Sequence, residues 1–132
     1  MSTARTYAFR QIDITTLINA VRHRDHRIYT SCDIERKMPK SATLRHPVGI
    51  VVGEYSEIGE NVQIGQNVTL GGHGEDGPSV HPVVEDNVTI YSGAVVVGDI
   101  TLGKGCTIGA NSVVLDDVPE DKTSVGAPAT EV

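Results

Sequence analysis

A period of six constrains this sequence more than any other feature. Val, Ile or Leu occupies Val52, Ile58, Ile64 and Leu70, and again Val84, Ile90, Val96, Leu102, Ile108 and Val114. Glycine often follows (Gly53, Gly59, Gly65, Gly71, Gly103, Gly109), and four places after each aliphatic stands a second small or apolar residue, Val62, Val68, Val88, Ala94 and Cys106 among them. Six fits neither the 3.6-residue turn of a helix nor the two-residue alternation of hairpin strands joined by variable turns. It suits a solenoid of triangular cross-section, in which each hexad makes one short strand and one corner and three hexads complete a coil. The aliphatic residue then points into the prism and stacks on its equivalents in neighbouring coils. Gly and Asn near the corners (Gly59, Asn61, Gly65, Asn67, Asn87, Gly103, Gly105, Gly109, Asn111) are expected to supply the backbone angles of tight turns.

The rest of the composition agrees with an aliphatic stack. Aromatic residues make up 4% of the chain, with one Phe and no Trp, so burial of Val, Ile and Leu has to supply the stability. A length of 132 residues fits one domain. The formal charge of -6 argues against nucleic acid or an anionic membrane surface as a partner, since both select clustered Lys and Arg. No apolar run approaches the ~20 residues of a membrane span, and Met1 to Arg10 lacks the apolar core of a signal peptide. The expectation is a cytoplasmic protein acting on a small molecule. Cys32 and Cys106 are far apart in unlike surroundings, which makes neither a disulfide framework nor a metal knuckle.

Two departures from the period mark the organisation. The step from Leu70 to Val84 is 14 rather than 12, and the residues between, Gly71-Gly72-His73-Gly74 through His81-Pro82, carry no aliphatic register. A loop is expected to leave the prism at 71–83, and loops on rigid scaffolds often carry function. Upstream, Ile14, Leu17, Ile18 and Val21 follow the i, i+3, i+4, i+7 spacing of a short amphipathic helix, with Asp13 or Thr15 available as its cap. Residues 1–30 are thus read as a helical segment capping the prism, and 31–132 as the prism with its loop.

The stretch His46-Pro47-Val48-Gly49-Ile50-Val51-Val52-Gly53-Glu54, then Asn67-Val68-Thr69-Leu70-Gly71-Gly72, then His81-Pro82 and Gly126-Ala127-Pro128-Ala129 resembles the serine acetyltransferase branch of the hexapeptide-repeat acyltransferases. The resemblance runs over about residues 31 to 132. It implies an all-β solenoid, the left-handed parallel β-helix, with acetyl-CoA as co-substrate, no metal, and a homotrimer with active sites shared between neighbours. It implies His46 as general base, Asp33 in an Asp-Ile segment as the carboxylate that orients it, and His81 near the acetyl or acceptor group. It also implies close approach of the cofactor at Ser92 and Ala110, with Gly71 and Gly72 at the backbone turn facing the thioester oxygen.

The residues themselves speak to some of this. His46 lies one hexad before Val52, where the register would put an inward aliphatic residue, so it either serves chemistry or caps an irregular first coil. A histidine with an ordinary pKa of ~6.5 accepts a proton from a hydroxyl near neutral pH and returns it to a departing thiolate. Glu35 and Glu54 compete with Asp33 as its partner, and His-Pro at 81–82 also reads as a plain turn. Arg45 and Val80 stand where the serine enzymes resembled have an acidic residue and an arginine that hold the two charges of serine. The expected acceptor is therefore a saccharide or similar small-molecule hydroxyl, with serine O-acetylation as the alternative. Two other classes stay open on the same prism: a carbonic anhydrase-like metal enzyme using His46, His73 and His81, and a non-catalytic scaffold subunit.

Overall fold

The computed structural model describes residues 32–35, 38–74, 77 and 80–132. The helical segment expected over residues 1–30 lies outside them.

The chain winds as a left-handed parallel β-helix with three faces. One face stacks β1 (Asp33–Ile34), β3 (Val51–Val52), β6 (Thr69–Gly71), β9 (Val95–Val97) and β12 (Val113–Val114). A second stacks β2 (Thr43–Leu44), β5 (Gln63–Ile64), β8 (Thr89–Ile90), β11 (Thr107–Ile108) and β13 (Thr123–Gly126), closed by β14 (Ala129–Glu131) in the one antiparallel pairing among the described residues. The third holds β4 (Glu57–Ile58), β7 (Val83–Val84) and β10 (Thr101–Leu102). Strands of two to four residues accumulate little of the right-handed twist that usually biases parallel crossovers, which leaves room for the left-handed coil.

The hexad aliphatics form the core columns. Val52, Leu70, Val96 and Val114 stack on the five-stranded face, and all four are buried. The second register lines the corners from inside: Ser56, Val62, Val68, Val88, Ala94, Cys106 and Ser112 are each fully buried. Ile58 is only half-buried, because β4 ends its sheet. The corner residues divide into two kinds. Asn61, Asn67, Asn87 and Asn111 do take positive φ, between 55 and 60°. Gly59, Gly65, Gly103 and Gly109 do not, and their reason is different from the one expected. A Cβ on Gly65 would lie 2.7 Å from the Ser92 nitrogen, and one on Gly103 2.6 Å from the Glu120 nitrogen, so these glycines let the next coil's backbone come close, whereas at Gly109 the Val125 side chain takes the space, 2.5 Å from such a Cβ.

Strand register corrects two sequence expectations. Val52 pairs with Leu70, 18 residues on, which is three hexads. Ile58 pairs with Val84 and Ile64 with Ile90, each 26 residues on. Leu70 and Val84 therefore sit on consecutive faces, one hexad apart, and the corner between them holds eight extra residues rather than two. Phase along a sequence is counted modulo six, so an insertion of two and one of eight look alike until faces are assigned. The second correction concerns His46. Leu44, not His46, pairs in the column of Ile64, and it does so across 20 residues. The corner from Leu44 to Val52 carries two additional residues, and His46 is an exposed corner residue at φ 54° rather than an inward hexad position.

Candidate active site

Two corners at opposite edges of the five-stranded face hold the chemistry-bearing side chains. The chain enters the first through Arg45, whose N–H donates to the Ile64 carbonyl at 2.8 Å. It turns sharply about Pro47, the Val48 N–H donating to the His46 carbonyl at 2.7 Å, and drops back onto the coil below, where the Asn67 N–H donates to the Val48 carbonyl at 2.8 Å. Gly49, at φ 64°, closes the corner directly over Asn67, and a Cβ there would fall on the Asn67 Oδ1. His46 is thereby held outward on a turn tied at both ends. It lines a depression of about 260 Å³ together with Arg45, Gln63, Gln66, Tyr91 and Ser92.

Asp33 is exposed on β1, the edge strand of the face that this corner feeds. Its N–H donates to the Ile50 carbonyl at 2.8 Å, and it pairs with Val51. Glu35 continues the same strand edge, bonded to the Val52 carbonyl at 2.9 Å, while Glu54 is exposed at the other side of the face. Ala110 is exposed on the coil below Ser92, beside Asn111, whose N–H donates to the Ser92 carbonyl at 2.9 Å. Of the sequence-derived set, His46 and Ser92 thus share one depression, Ala110 lies beyond it at the same corner, and Asp33 lies on the adjoining strand edge.

The second corner is the long one. Gly71 ends β6 opposite Val97, and its carbonyl accepts from the Gly98 N–H at 3.1 Å. The loop that follows returns at Val80, whose carbonyl accepts from the His73 N–H at 3.3 Å, and Pro82 is buried as the chain rejoins the prism. His81 is half-buried, with Nδ1 2.9 Å from the Gly77 carbonyl oxygen. Its ring lies against two glycines. A Cβ on Gly53 would come within 2.8 Å of Cδ2 and Nε2, and one on Gly72 within 2.7 Å of Cε1. Tyr55 packs edge-on to it, with ring centroids 5.4 Å apart and planes at 65°. Gly71, Gly72 and His81 are brought together here, across the face from His46. His73 is exposed in the same loop, and among the described residues no three His, Cys, Asp or Glu side chains converge.

Comparisons with known proteins agree with this fold. Residues 81–116 match the family model described as bacterial transferase hexapeptide (six repeats). The serine acetyltransferase of Bacillus licheniformis is 46% identical over 108 residues, which cover 80% of this chain and 50% of that protein. That of Bacillus subtilis is 51% identical over 87 residues, 66% of this chain and 40% of that one. Among solved structures, a serine acetyltransferase in complex with CoA superposes with a TM-score of 0.64 at 45% identity, covering 77% of this chain and 40% of that one. Soybean serine acetyltransferase complexed with serine gives 0.70 at 37% identity, covering 97% and 53%. The chain belongs to the hexapeptide-repeat acyltransferases, in their serine acetyltransferase-like branch. This hexapeptide-repeat chain spans about a third to a half of the length of the curated relatives it matches, from 32% in the Haemophilus influenzae protein to 50% in that of Bacillus licheniformis.

Sequence reasoning missed Tyr55. Nothing in the hexad pattern singles it out, because it stands in a corner between Gly53 and Ser56, and only the path of the eight-residue insertion brings His81 back over it. The pocket residues Gln63, Gln66 and Tyr91 were missed for a related reason. They are outward or corner positions of ordinary hexads, and the two-residue insertion at His46–Pro47 alone selects them.

Proposed function

We propose that this protein transfers the acetyl group of acetyl-CoA to a hydroxyl, with His46 as general base and serine as the acceptor. The observation that carries the reading is an outward histidine on a tied corner beside a polar depression, in a chain whose relatives are serine acetyltransferases. Serine, treated above as the alternative to a saccharide, moves ahead of it on those relatives. Arg45 and Val80 remain features to accommodate. A guanidinium at the rim of the depression suits a carboxylate and opposes an ammonium, so Arg45 favours one end of an amino acid and disfavours the other.

The chemistry asks little of the protein beyond placement. His46 takes the proton of the acceptor hydroxyl as the oxygen attacks the thioester carbonyl, and the departing thiolate receives that proton back, so no acyl-enzyme is needed. Its exposure and the rigid turn about Pro47 supply the access and the orientation. The separation of His46 from His81 across one face supports an assembly in which a second copy completes the site, in keeping with the expected homotrimer.

The test is acetyl-CoA-dependent thiol release with serine and with a panel of sugars and polyols. Serine should turn over best, and His46→Ala should lower the rate by about 10²- to 10⁴-fold, the usual contribution of a general base. Turnover of a sugar with none of serine would overturn the acceptor, and full activity in His46→Ala would overturn the base.

A further inference from the structure

We propose that Tyr55 is a positioning residue which, with Gly53 and Gly72, holds the His81 imidazole in one tautomer and one orientation, its Nε2 offered to a hydrogen-bond donor on the bound ligand. Three observations meet at that ring. The Gly77 carbonyl oxygen 2.9 Å from Nδ1 can only accept, so Nδ1 carries the proton and the neutral ring leaves its lone pair on Nε2. Gly53 and Gly72 form the two sides of a slot in which any side chain would strike the imidazole. The third is the Tyr55 ring, set edge-on against the imidazole.

Tyr55 completes the slot. Its ring meets the imidazole edge-on at 5.4 Å, yet it is 39% exposed and absent from the apolar core, so the prism does not need it for its own packing. An exposed aromatic set against a ring held by two glycines limits rotation of that ring about its side-chain bonds. A donor suited to Nε2 is a hydroxyl or amide N–H of the acceptor or co-substrate. That identity rests on the acetyl transfer proposed above; the hold on the imidazole does not.

Long-range ¹H–¹⁵N NMR on the free, full-length chain reads the tautomer, and steady-state kinetics reads its use. Wild type should show His81 protonated at Nδ1 and bare at Nε2. Tyr55→Phe should match it, since the ring edge is kept. Tyr55→Ala, checked for an unchanged melting temperature, should show a mixture of tautomers and a KM for the acceptor raised about fivefold with kcat within about twofold. A single tautomer and an unchanged KM in Tyr55→Ala would overturn the assignment, as would a Tyr55→Phe variant as impaired as the alanine. Should no acceptor support acetyl transfer, the function proposed above fails, and the tautomer measurement decides the role of Tyr55 by itself.

Discussion

Among the described residues, six other than glycine turn the chain through positive φ: His46, Asn61, Asn67, Asn87, Asn111 and Asp121. Asn and Asp tolerate this left-handed conformation because a short polar side chain can bond its own backbone, and they occur at regular corners. His46 is the exception in kind and in place, at φ 54° and followed by proline, which narrows the choices further. Its conformation is imposed by the bonds at both ends of its corner. Cys106 makes a prediction at the same scale. Burial in the prism, helped by the charge of Glu85, pushes its thiol from 9.0 up to about 11. The folded state therefore holds that proton more tightly than the unfolded chain does. The resulting stability is present below pH 9 and lost as the pH rises through about 11. Urea midpoints should fall over that range in wild type, and the fall should be smaller in Cys106→Ala. An equal alkaline fall in both would show that other groups cause it.

The strands depend on stacking rather than on length. A two-residue strand has almost no propensity of its own, so its stability comes from the coil above and the coil below. Leu70 is fully buried between Val52 and Val96, with a strand on either side. Leu70→Ala should cost about 2–5 kcal/mol in urea unfolding. Ile58, on the terminal strand of its sheet and half-exposed, should cost clearly less as Ile58→Ala. Equal losses at the two positions would show that the first coil is covered as well as the middle one. These elements were legible in the sequence because the hexad repeats the same side-chain requirement at every coil. The ends of the array were less so, since Leu44 and Ile34 reach their columns through corners of altered length.

A solenoid of this kind gains little from shape and much from repetition, so ligands that bridge coils stabilise it as a whole. If acetyl-CoA binds the native state alone, a concentration of 100 times its Kd should add about 2.7 kcal/mol, visible as a raised melting temperature, while the free acceptor should give less. No change in melting with acetyl-CoA would count against a co-substrate site in the folded chain. The sequence alone determined the prism, its core columns from Val52 onward and the place of the long loop, because a period of six with aliphatic spacing has one economical burial solution. It also pointed to His46, Asp33, His81 and the glycines through their motifs. Only the tertiary structure decided which face each hexad joins, since phase is blind to whole hexads. That assignment turned an insertion of two into one of eight, moved His46 from the core to an exposed corner, and set Tyr55 against His81. Contacts across an inserted loop depend on the path the chain takes through space, and no local spacing encodes it.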